Sequence, residues 1–141
     1  MKLFGAGNPF IPANLARVIN KTGAPSIKGY VVKPSAITDN AVEYTAPGNA
    51  NPIGVIYEDN IPDGEYMYIA VSSIAEVYYR ASVTRGNIAR VATAGEAGNG
   101  AQLVNEILSP PFVDEKHFQE CGHPIESRTG AGLAKTVLHF N

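Results

Sequence analysis

Between Ile61 and Val91 apolar and polar residues alternate in short runs broken by turn residues (IPDGEYMYIAVSSIAEVYYRASVTRGNIARV). This is the pattern of β-strands folding back on one another. Pro62, Asp63 and Gly64 supply a turn: proline fixes φ, aspartate can bond its own backbone, and glycine accepts positive φ. In the strand expected over 65–72, Tyr66, Tyr68 and Ala70 fall on one face and Met67, Ile69 and Val71 on the other, so both faces are expected to be largely covered. A second strand is expected over 74–81. Arg85, Gly86 and Asn87 then reverse the chain before a strand over 88–92.

The same grammar runs through most of the chain. Strands are expected over 27–33, ended by Pro34, over 41–45, over 53–57 and over 133–140, with turn-forming Gly, Pro and Asn between them. Spacing of about ten residues between strands marks an all-β domain. Residues 93–100 (TAGEAGNG) read as an exposed loop or tip, and 101–108 (AQLVNEIL) fits strand or helix equally. The fold class is all-β, a compact single-domain β-barrel or β-sandwich over 27–141, preceded by an irregular arm over 1–26. In the arm, Gly5, Gly7, Pro9 and Pro12 prevent a regular element, and only residues 13–20 (ANLARVIN) offer a short helix, with Leu15, Val18 and Ile19 at helical spacing. Phe4, Phe10, Ile11, Leu15, Val18 and Ile19 form a candidate interface arm, because six large apolar side chains are worth about 1.5–3 kcal/mol each when buried.

Composition narrows the function. Charged residues make up only 17% of the 141-residue chain, against roughly 25% in ordinary soluble domains, so much of the surface is expected to lie against other subunits. A formal net charge of −2 offers no basic stripe for phosphates, which argues against nucleic acid. The first twelve residues lack the continuous apolar core of a signal peptide and no segment reads as a membrane span. The single Cys121 excludes an intrachain disulfide and fits a cytoplasmic compartment, or a particle assembled there.

Catalytic residue types gather only around His117, Glu120, Cys121, His123 and Glu126, with His139 further on. Their spacing contains neither Cys-x-x-Cys nor His-Glu-x-x-His, and Pro124 interrupts any helix through them. The segment therefore reads as polar residues in a turn before a strand, with no catalytic, metal or cofactor site assigned. The carboxylates Glu43, Glu58, Asp59, Asp63 and Glu65 read as turn chemistry rather than a calcium loop. Tyr57, Tyr66, Tyr68, Tyr78 and Tyr79 are either core and interface residues or a carbohydrate-stacking face.

In order along the chain come Gly29-Tyr-Val-Val-Lys, Asn51-Pro-Ile-Gly-Val-Ile with Asp59, Asp63-Gly-Glu-Tyr-Met-Tyr-Ile-Ala-Val, Ile74-Ala-Glu-Val, Thr84-Arg-Gly-Asn, and Cys121-Gly-His-Pro-Ile-Glu followed by Gly130-Ala-Gly-Leu-Ala-Lys-Thr-Val-Leu. This succession, over 27–141, resembles the small all-β decoration proteins of tailed-bacteriophage capsids. The resemblance implies a β-tulip-like barrel on the outside of the head that strengthens contacts between capsomers. It also implies a homotrimer, the major capsid protein as partner, a place on the virion surface after assembly in the host cytoplasm, and no catalytic residues or cofactor. The 109–119 segment and the three histidines depart from that pattern. Two other function classes stand beside it: a receptor- or carbohydrate-binding module of a virion, and a small metal-dependent hydrolase using His117, Cys121 and His123.

Overall fold

Pairs of adjacent apolar residues, Val31-Val32, Val55-Ile56 and Ile69-Ala70, organise this fold because each member of a pair enters a different core. A strand covered on both faces reads as a continuous apolar run rather than an alternating one. The computed structural model describes residues 14–96, 99–107, 109–110 and 112–140. In chain order the elements are β1 (Asn14–Asn20), β2 (Val31–Pro34), β3 (Ala41–Tyr44), β4 (Gly54–Ile56), β5 (Tyr66–Tyr79), β6 (Ile88–Arg90), β7 (Val104–Glu106), the helix α1 (Asp114–Gln119), β8 (Glu120–Pro124) and β9 (Gly132–Leu138).

The strand order β1-β3-β2-β4-β5, closed by pairing of β1 with β5, makes a five-stranded barrel. Its interior holds Val32, Val42, Ile56, Met67 and Ile69, with Ala16, Val18 and Tyr44 packed against them. Full closure leaves no free edge among these five strands. The second half continues from the far end of β5 as β5-β9-β8-β6-β7, and a parallel bridge between Tyr79 and Leu103 brings the start of β7 back to β5. Val31, Val55 and Ala70 face out of the first barrel and join Val77, Tyr79, Leu103, Cys121, Ala134 and Leu138 in the second core. The two halves therefore share one strand and one wall. Within the second core the hydroxyls of Tyr79 and Thr136 bond each other at 2.6 Å, which satisfies two buried polar groups at once.

The all-β barrel expected from the sequence is present, with two corrections in its strands. First, the helix expected over 13–20 is the strand β1, whose residues pair antiparallel with β5 from Leu15↔Ala70 to Ile19↔Tyr66 and parallel with β3 at Ile19↔Ala41. An eight-residue helix cannot sustain itself, whereas residues 14–20 of the same segment complete a barrel wall. The sheet thus begins inside the segment assigned to the arm. Asn20 anchors its end: the fully buried side chain donates to the Ala24 and Ile61 carbonyls and accepts from the Thr22 amide and hydroxyl. Second, the strands expected over 65–72 and 74–81 are one strand, β5, bent at Ser73, where φ is 66°. Ser72-Ser73 lacks the residues that close a hairpin, so the chain turns a corner there and passes from the first sheet to the second.

The turn after Ile61 forms as read, with the Glu65 amide bonded to the Pro62 carbonyl and Gly64 at φ 90°. The Asp63 carboxylate does not bond its own loop but accepts from the Gly23 amide at 2.8 Å. Of the described residues in the expected loop over 93–100, Ala94, Gly95 and Asn99 are exposed, while Glu96 is partly buried against Arg90 and Gly100 is buried. Residues 104–106 of the ambiguous 101–108 segment are strand.

Candidate functional site

The segment that departs from the decoration-protein pattern builds the most developed surface feature. Asp114 and Glu115 begin α1 and Lys116 and His117 lie in its last turn, a charge order that complements the helix dipole. Six residues are too few for a stable free helix, and tertiary bonds hold it. Lys116 reaches Glu106 on β7 at 3.1 Å, and Glu106 is in turn clamped by Arg90 on β6. Between α1, β6, β7 and the start of β8 lies a cleft of about 290 Å³ lined by Ile88, Glu106, Ile107, Ser109, Phe112, Val113, Lys116, His117 and Glu120. Its rim is apolar and open to solvent: Ile107 is 72% exposed and Phe112 68%.

Arg90 beneath this cleft is the most heavily bonded side chain of the region, though only 2% exposed. Its Nε and one terminal nitrogen donate to Glu106, both terminal nitrogens donate to Glu96, and Nη1 also donates to the Val91 carbonyl. All five N–H donors of the guanidinium are therefore used. Glu96 also accepts from the Thr93 amide and hydroxyl. The Arg90 hydrogen bonds, with those from Thr93, hold the Glu96 carboxyl down at about 2 against the opposing effect of burial, and Arg90 lowers that of Glu106 too. The sequence reading missed this clamp, whose signal was an arginine between two buried apolar residues, Ala89 and Val91, in a strand.

The histidine and cysteine segment divides in two. Cys121 is fully buried in the second core, its thiol donating to the Gln119 carbonyl at 3.4 Å. Burial, reinforced by the Glu120 charge, pushes that thiol well above its ordinary range, so it is unsuited to act as a nucleophile or ligand as placed. Glu120, His123 and His139 come together on the outside, their ligand atoms within 4.8 Å of one another. His139 Nε2 lies 3.2 Å from a Glu120 carboxylate oxygen. His117 is on α1 at the cleft instead, in edge contact with Phe118.

The carboxylates near the Pro62 turn tether backbone. Asp59 accepts from the Lys28 amide, Glu58 from the Tyr68 amide, and Glu43 pairs with Lys33. The tyrosines do not assemble one stacking face: Tyr79 is in the core, Tyr57 packs against it, and Tyr78 contacts Tyr30. Tyr66 and Tyr68 alone among the five stay half exposed, correcting the expectation that both faces of the strand are covered. Arg17 lies over the Tyr66 ring at 4.1 Å, a cation–π contact. Of the six candidate arm residues, Phe4, Phe10 and Ile11 fall outside the described residues. Val18 packs on the barrel core, Ile19 is partly buried, and Leu15 is 40% exposed on the Tyr68 side of the barrel.

No family model and no curated protein matches the sequence. Among solved structures, the chain is similar to the head fiber gp8.5 N base of bacteriophage phi29, with a TM-score of 0.60 and 12% identity, over 89% of this chain and 93% of that one. At that identity the likeness is one of architecture: this chain has the fold of a phage head-fibre base.

Proposed function

We propose that this chain is a structural protein of a tailed-phage virion, a decoration or cement protein attached to the outer surface of the head through the major capsid protein. The observation that carries the reading is the end-to-end likeness to a head-fibre base. Three features support it. The charged fraction is low. The rim of the cleft adds Val113 to Ile107 and Phe112 as exposed large apolar side chains, and apolar surface of this kind marks protein contacts. On the barrel, Leu15, Tyr66 and Tyr68 are half exposed along the β1–β5 ladder.

A homotrimer, assembled in the host cytoplasm and carried on the virion, suits this role. Symmetric copies engage several capsomers together, so that modest contacts sum to a strong clamp. Residues 1–13, with Phe4, Phe10 and Ile11, serve as the docking arm in this reading. Removing them spares every strand of the barrel, whereas removing residues through 20 would delete β1. The chain lacking residues 1–13 is expected to melt within a few degrees of the intact protein and to bind heads at least about tenfold more weakly, or about 1.4 kcal/mol. Normal head binding with a much lower melting temperature would assign the segment to the protein's own core and move the interface to the barrel.

A further inference from the structure

We propose that Glu120, His123 and His139 form a zinc site on the outer face of the second sheet. None of the three is near another in a metal-ligand sequence motif; backbone pairing brings them together. His123 lies opposite Val137 in the β8–β9 ladder, and the bond from the His139 amide to the Cys121 carbonyl extends that ladder by one step. Along β8 the pairing with β6 slips by one residue, Ala89 meeting Gly122 while Arg90 meets Glu120. Such a bulge re-aims the side chains around it. Here Cys121 enters the core while Glu120 turns to the histidine side.

The chemistry of the three groups suits a divalent transition ion. One ligand atom from each lies within 4.8 Å of the others, and Glu120 and His139 are already 3.2 Å apart. Zinc bonds to nitrogen and oxygen of about 2.0–2.2 Å in a tetrahedron put neighbouring ligand atoms about 3.3 Å apart, so small side-chain rotations suffice. His123 is oriented for the purpose. Its Nδ1 is 3.2 Å from the Asn87 carbonyl oxygen, which can only accept, so Nδ1 carries the hydrogen and Nε2 of the neutral ring keeps its lone pair. A backbone carbonyl behind the ring is the usual support of a metal-ligating histidine. The two imidazoles lie with centroids 5.2 Å apart and planes at 33°. Three protein ligands leave the fourth position to water. The bound ion would tie the segment after β9 to β8, a clip at the end of the last strand.

Isothermal titration of the metal-free full chain with zinc chloride tests this, with magnesium chloride as control. Zinc is expected to bind with one equivalent per chain and to raise the melting temperature, while magnesium does neither. His123→Ala and His139→Ala are each expected to weaken zinc binding at least about tenfold while leaving the metal-free melting temperature within a few degrees, since both side chains lie toward the surface. Cys121→Ser is expected to bind zinc as the wild type does. Absence of saturable zinc binding would overturn the proposal, as would zinc binding that survives both histidine substitutions.

Discussion

Replacing Arg90 by alanine is expected to destabilise the protein by about 3–5 kcal/mol, the cost of removing one partner from a buried ion pair. Total stability of a domain this size is about 5–15 kcal/mol, so the variant loses a large part of its margin. The physical reason is the completeness of the Arg90 bonding. Glu96, Glu106 and the Val91 carbonyl take all five donors, and without them two carboxylates face each other beside a core. Arg90→Lys keeps the charge but supplies three donors from a point rather than a planar fork, and should fall between the two. Urea unfolding measures both variants; an Arg90→Ala loss below about 1 kcal/mol would show that the clamp does not hold the second sheet.

The same clamp gives an acid limb. The Glu96 carboxyl is lowered from an ordinary 4.5 to about 2 in the folded protein, so its contribution is complete above the ordinary value and is lost as pH falls from there towards the folded value. Arg90→Ala should flatten this part of the stability profile.

Gly122→Ala is expected to cost about 2–4 kcal/mol and to loosen β8 from β9. Gly122 sits at φ 150° in the bulge, and a Cβ built there runs into the Val137 carbonyl oxygen and its carbon, both backbone atoms of the partner strand. Neither can move without breaking the ladder from Gly122↔Leu138 to Pro124↔Thr136. Gly130→Ala is the control. Gly130 also has positive φ, 79°, but nothing lies within 4 Å of its Cβ position, so it loses about 1 kcal/mol of backbone preference alone. Equal melting temperatures for the two variants would show that the strand can shift to make room.

Much of the barrel was legible because its strands carry their own signals. Val31-Val32, Ala41-Val42 and Val55-Ile56 are short apolar runs bounded by turn residues, and local pattern suffices to mark them. What was misread depends on partners distant in sequence. In β1, Leu15, Val18 and Ile19 fit a helix, yet Ala16, Val18 and Asn20 alternate equally well with Leu15, Arg17 and Ile19. The choice is made by Met67 and Ile69, about fifty residues away across the β1–β5 pairing. Ser72-Ser73 looked like a break because the turn of β5 is a corner between two sheets, a feature that no local pattern announces. Glu120, His123 and His139 were singled out, but their grouping apart from Cys121 and His117 was not visible. Only the slip at Gly122 and the register of β9 separate Cys121 from Glu120, His123 and His139. Arg90 and Glu106 are sixteen residues apart and meet through the β6–β7 pair, so the clamp was hidden for the same reason.

Attachment to a phage head is the central claim, and direct binding tests it. Purified full-length protein would be titrated onto heads of the encoding virus stripped of their own copy, the heads sedimented, and the bound protein quantified. Saturable binding at many copies per head, with the bound heads releasing their DNA at a higher temperature than bare ones, is the predicted result. Protein that stays in the supernatant at every concentration, with heads that sediment intact, would contradict it.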